Sequence, residues 1–166
     1  MIIKNCELYF AKLDPARPSA KYNKKNPTWE LQIRTTDREI KQEWLNMGLN
    51  VKPVVPDVGE PYFRVNLRKK SIKEDGEKAS PVNVVNAQLE PIDERSIGNG
   101  SIGNVRIFQY EYPKDTGGKG IASVLMGVQV IKHLVYTPKP RFDEFEECGE
   151  TETIIQDDEI DGDIAF

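Results

Sequence analysis

The sequence contains one histidine, His133, and two cysteines, Cys6 and Cys148, among 166 residues. Without a second histidine or a cysteine pair, zinc sites and Cys/His or Ser/His nucleophile systems are poorly supported. Two thiols so far apart fit a reducing compartment rather than a disulfide scaffold. No apolar run approaches the roughly 18 residues that a membrane span needs. The opening Met-Ile-Ile-Lys-Asn-Cys is not a secretory signal. These absences lead to the expectation of a cytoplasmic protein with no catalytic residues, no metal, no cofactor and no membrane partner.

Two stretches imitate known sites and fail on spacing. Ser96-Ile97-Gly98-Asn99-Gly100-Ser101-Ile102-Gly103-Asn104 is a tandem Ser-Ile-Gly-Asn around one glycine. It lacks the Gly-Lys-Ser/Thr of a phosphate loop and announces no helix, so a flexible loop is expected. Asp157, Glu159, Asp161 and Gly162 fit positions one, three, five and six of a calcium loop. Its twelfth position would fall past Phe166, and no helices flank it.

What is present is charge, unevenly placed. The net charge of −4 divides into +6 over residues 1–140, with 22 Lys or Arg against 16 Asp or Glu, and −10 over 141–166. That last segment holds eleven acids and one Arg. It has too little apolar surface to offset the entropy of ordering, so a disordered acidic tail is expected there. Residues 1–140 form one domain's worth of chain with a single core. A basic body with an acidic extension points to nucleic-acid binding, the extension acting as arm or competitor.

Apolar alternation places strands at residues 1–13, 28–35, 62–70, 82–89, 105–112 and 121–136. In the first, Ile2, Cys6, Leu8 and Phe10 share a phase and are expected inside. Trp29 shares the inward phase of Leu31 and Ile33. Thr36 with Glu39 makes a capping box, Ile40, Trp44 and Met47 follow at helical spacing, and Gly48 ends the helix. Residues 49–61 carry Pro53, Pro56 and Pro61 and are expected to be a surface connection. Gly127, inside the last strand, marks a bulge or bend.

The outer face of strand 62–70 reads Tyr62, Arg64, Asn66, Arg68, Lys70, with three cations, a ring and no acid. Cations neutralise phosphates and exposed rings stack on bases, although a solubilising outer face has the same composition. Lys21, Tyr22, Lys24 and Lys25 make the loop at 14–27 a second cationic rim. Arg106, Phe108, Tyr110 and Tyr112 lie on one side of their strand, and two readings stay open for them, core or stacking platform.

About five strands, one helix after the second of them and a basic aromatic face suggest a mainly β, OB-fold-like small barrel. Asp161-Gly162-Asp163-Ile164-Ala165-Phe166 resembles the acidic tip of bacterial single-stranded-DNA-binding proteins, Asp-Asp-Asp-Ile-Pro-Phe, departing from it at Gly162 and Ala165. The whole chain is similar to the tailed-phage single-stranded-DNA-binding proteins, an OB-fold body with an inserted helix and an acidic tail ending in Phe. The resemblance implies sequence-independent coating of single-stranded DNA during phage replication, recombination and repair. It also implies recruitment of polymerase, primase-helicase or nuclease through Asp157, Asp158, Asp161, Asp163, Ile164 and Phe166. Homo-oligomers are compatible with it. The alternatives are an RNA-binding OB module, which uses the same physics, an adaptor whose basic face holds an acidic protein, and a nuclease.

Overall fold

Period-two alternation builds β2 (Thr28–Thr35) and β4 (Tyr62–Lys70) over the expected residues, with Trp29, Leu31, Ile33, Val65 and Leu67 buried. The computed structural model describes residues 1–21 and 24–136. Its other strands are β1 (Ile2–Lys12), β3 (Lys52–Val54), β5 (Asn83–Asn86), β6 (Ser101–Pro113) and β7 (Lys119–Lys132). One helix, α1 (Arg38–Asn46), follows β2.

β1 pairs antiparallel with β2 and with β6, β2 with β4, and β6 with β7. β4 then meets β7 in parallel at Arg68 and Val124, which closes five strands into a barrel in the cyclic order β1-β2-β4-β7-β6. Closure removes the open edges at which a sheet would pair with other chains. This is the mainly β, OB-type barrel with one inserted helix that strand count and pattern suggest. β3 extends the rim beside β4, and β5 runs parallel to β7. The helix buries Trp44, and Trp29 keeps its indole satisfied by donating from Nε1 to the Asp14 carbonyl at 3.0 Å.

β1 departs from the expected phase. Its register shifts between Ile3 and Cys6 and again between Tyr9 and Lys12, and Asn5 and Phe10 take positive φ angles of 54° and 51°. Each shift resets the alternation. Ile3 replaces Ile2 in the core, and Phe10 turns outward at 53% exposure, while Cys6 and Leu8 stay buried as expected.

The Ser-Ile-Gly-Asn tandem is not a loose loop. Ser96 and Ser101 each donate from Oγ to the carbonyl three residues back, at 2.7 Å in both cases. Gly98 and Gly103 each press against a backbone oxygen, those of Leu134 and Gln129, and a Cβ at either glycine would lie 2.5 Å from it. Asn99 and Asn104 each accept, through Oδ1, a backbone N–H of β1: Phe10 at 2.8 Å and Asn5 at 3.1 Å. A five-residue repeat running from the approach to β6 into the strand itself thus holds two bulges five residues apart on β1.

Smaller differences have local causes. Asp37, not Thr36, caps α1 by accepting from Glu39 N at 2.8 Å. Pro53 sits in the short rim strand β3, where a missing N–H is tolerated. The final strand ends at Lys132, so His133 lies just beyond it. At Gly127 the β6–β7 register slips, as the bend there requires. Residues 137–166 and Tyr22 lie outside the described residues, and with them the expected tail.

Candidate nucleic-acid interface

The outward side chains of β1, β2 and β4 fall into register rows across the barrel. One row runs Glu7, Arg34, Arg64, Lys52, so Arg34 and Arg64 stand directly opposite each other with Lys52 opposite Arg64 on the far side. Like charges placed directly opposite on neighbouring strands are destabilising. Among the described residues, neither arginine is in an ion pair. The next row is Tyr9, Gln32, Asn66, with Gln32 Nε2 donating to Asn66 Oδ1 at 2.9 Å. The third is Lys12, Glu30, Arg68, Val124, Phe108, which carries the face round from β1 to β6. Lys70 stands opposite Thr28 at its end.

Arg34 organises the rings. Its guanidinium carbon lies 3.8 Å from the Tyr9 centroid, 4.2 Å from that of Tyr62 and 5.2 Å from that of Phe10. Its Nε donates to Gln32 Oε1 at 2.6 Å. Tyr9 and Phe10 meet edge to face at 6.1 Å, a favoured aromatic geometry. Both rings reach this side because the bulge at Phe10, held by Asn99, turns two successive side chains outward.

A groove of about 370 Å³ crosses this face, lined among others by Phe10, Lys12, Lys21, Gln32, Asn66 and Arg68. Glu30 lies in it, paired with Arg68 (Oε1 to Nε 3.5 Å) and accepting from the Thr28 hydroxyl at 3.1 Å. Phe10 and Lys12 also line a second hollow of about 600 Å³ that takes in Arg17, Arg95 and Tyr136. The two depressions meet at Phe10. Arg95 is engaged there by Asp93, whose carboxylate its hydrogen bond holds below the usual range. At the barrel end, burial and then repulsion from Lys73 lower the pKa of Lys69.

The structure brings Tyr62, Arg64, Arg68, Lys70 and Lys21 onto one side, with Lys24 and Lys25 exposed on the β1–β2 loop. Phe108, Tyr110 and Tyr112 are 57%, 50% and 42% exposed, so the core reading of these rings is excluded. Phe108 and Tyr110 lie 6.3 Å apart at a 30° tilt. Arg106 lies across β7 from Asn83, two strands away from β4, in a separate cleft with Ile2 and Lys4. Sequence reasoning missed Tyr9, Phe10 and Arg34. Tyr9 and Arg34 were legible as outward residues; Phe10 was hidden by the bulge. Among the described residues, no group of three or more His, Cys, Asp or Glu could hold a metal ion, and no helix is long and apolar enough to cross a membrane.

No protein-family model and no curated protein matches the chain. Solved structures do. A single-stranded-DNA-binding protein from bacteriophage Enc34, in complex with ssDNA, superposes with a TM-score of 0.53 at 16% identity. The match covers 84% of this chain and 88% of that one. Its C-terminal truncation gives 0.50 at 16% identity, over 79% and 84%. The single-stranded-DNA-binding protein gp2.5 of bacteriophage T7 gives 0.48 at 15% identity, over 89% and 96%. At such identity the likeness to the Enc34 structures is one of fold.

Proposed function

We propose that this protein binds single-stranded DNA without sequence preference, and that it is a binding protein rather than an enzyme. The observation that carries the proposal is the β1–β2–β4 face. Two arginines oppose each other across a strand pair beside three outward rings, on a barrel whose fold is shared by a phage protein solved with ssDNA. Facing cations are unfavourable in the free protein and become favourable when a phosphate sits between them. Rings beside them accept any base, because every base has a π-face. Lys21, Lys24, Lys25, Arg68 and Lys70 extend the track, and Phe108, Tyr110 and Tyr112 continue it round the barrel. Tyr22 belongs to the same loop as Lys21.

Residues 1–140 are the binding domain in this reading, and the −10 segment 141–166 is a competitor for the same face that also presents Ile164 and Phe166 to replication proteins. Acting in the host cytoplasm during replication and recombination follows from that reading. The test is a titration of oligo-dT into full-length protein and into protein lacking residues 157–166, at two salt concentrations. Binding that weakens with salt is expected, with tighter binding by the shortened chain at low salt. Equal affinity of the two chains at low salt would remove the competitor role; no binding by either would remove the function.

Both tryptophans are buried, so the optical signal should come from tyrosine. Matched RNA oligomers distinguish the RNA module, and incubation of labelled DNA with magnesium distinguishes a nuclease.

A further inference from the structure

Arg34 projects from the central strand of the face into the space between rings on the two flanking strands. Tyr9 is registered with Gln32, two residues before Arg34. Tyr62 comes two residues before Arg64, the residue opposite Arg34. The rings therefore lie on opposite diagonals, with the guanidinium over both faces at 3.8 and 4.2 Å. Their centroids are at most roughly 8 Å apart, and a planar group in contact with a ring on each side needs about 7–8 Å. The space between Tyr9 and Tyr62 thus admits at most one stacked plane, and the Arg34 guanidinium lies in it. A guanidinium fills it because it is planar, delocalised and weakly hydrated.

We infer that Arg34 is the resting occupant of a nucleobase slot. Resting on the single-stranded-DNA reading above, the inference is that one base of the bound strand enters between Tyr9 and Tyr62 and the displaced guanidinium turns to a flanking phosphate. The ring faces are then covered in both states, by a cation in the free protein and by a base in the complex. Base capture and one phosphate contact become a single event. A sugar–phosphate chain without bases leaves Arg34 where it is.

Binding of oligo-dT and of an abasic oligomer of equal length, each measured against salt with the full chain, tests this. Each phosphate neutralised contributes about 0.7 to the slope of log affinity on log salt. The wild-type slope for oligo-dT should exceed that for the abasic chain by about 0.7. In Arg34→Ala the two slopes should coincide at the lower value. In Arg34→Lys, whose ammonium does not stack as a plane, they should coincide at the higher one. Thermal melts check that each variant folds. Equal wild-type slopes would overturn the inference, as would an Arg34→Ala slope lowered equally for both ligands, which would make Arg34 a standing phosphate contact. Absence of oligo-dT binding at low salt would instead overturn the reading on which the inference rests.

Discussion

Replacing Arg64 with Gln should stabilise the free protein and weaken its hold on DNA. Arg64 is half-buried, faces Arg34 across one strand pair and Lys52 across the other, and is in no ion pair among the described residues. Glu7, the one acid in that row, lies beyond Arg34. Cross-strand charge pairs are worth about 0.2–1 kcal/mol, and two like-charge pairs disappear with the substitution. Solvent screening of partly exposed groups favours the lower half of that range, so the expected gain is about 0.5–1 kcal/mol. In a domain of this size that is roughly 1–4 °C in melting temperature. The gain should shrink towards zero in about 1 M salt, where the Debye length falls to about 3 Å. In oligo-dT titrations the same variant should lose about 0.7 from the salt slope and about 1–2 kcal/mol of affinity at low salt. Melts at two salt concentrations and titrations over a salt series measure both halves. A variant that melts lower than wild type at low salt, or that keeps the full salt slope, would refute the account of this row as a phosphate site.

Other outcomes follow from separate features. Asn99→Ala removes the acceptor of the Phe10 N–H at a positive-φ bulge, which should cost about 0.5–1.5 kcal/mol of stability; oligo-dT affinity should fall with it as Phe10 leaves the groove, and unchanged affinity would place the ring outside the site. Gly103→Ala would set a Cβ 2.5 Å from the Gln129 carbonyl and 3.1 Å from Leu8, an overpacking of about 1–3 kcal/mol visible in urea melts. Burial pushes the Cys6 thiol up to about 12 from 9.0, so a thiol reagent at pH 8 should leave Cys6 unmodified until the protein unfolds. Because the unfolded thiol ionises first, its stabilising contribution is whole below pH 9 and is lost as pH rises towards 12. The stability difference between wild type and Cys6→Ala should accordingly narrow above pH 9, and a constant difference would contradict the burial.

Much of this barrel was legible because its central strands alternate cleanly. Trp29 shares a phase with Leu31 and Ile33, and the structure buries all three. The β1 strand was misread at Ile2 and Phe10 because two bulges reset its phase, and what fixes those bulges is a pair of asparagines about a hundred residues away. Nothing local to β1 carries that information. The tandem Ser-Ile-Gly-Asn was misread for the reciprocal reason: its glycines and serines look like loop composition until Leu134 and Gln129 are placed against them. The cations of β4 could be read in one strand, but that Arg34 faces Arg64 depends on pairing, as does the parallel meeting of Arg68 with Val124. Exposure removes the core reading of the β6 rings, which alternation alone left open.

The duplicated Ser-Ile-Gly-Asn has a bearing on misfolding. Identical units invite a strand to slide by one unit and find the same partners again, and β6 could in principle slide five residues along β1. Five is odd, whereas side chains in a strand change sides at every residue. Val105 and Ile107, now buried, would emerge into water, and Arg106 and Phe108 would be driven into the core. The slipped chain would recover the asparagine and glycine contacts of one unit only, and would turn the barrel inside out along one stave to do so, so the repetition carries its own safeguard against being read out of step.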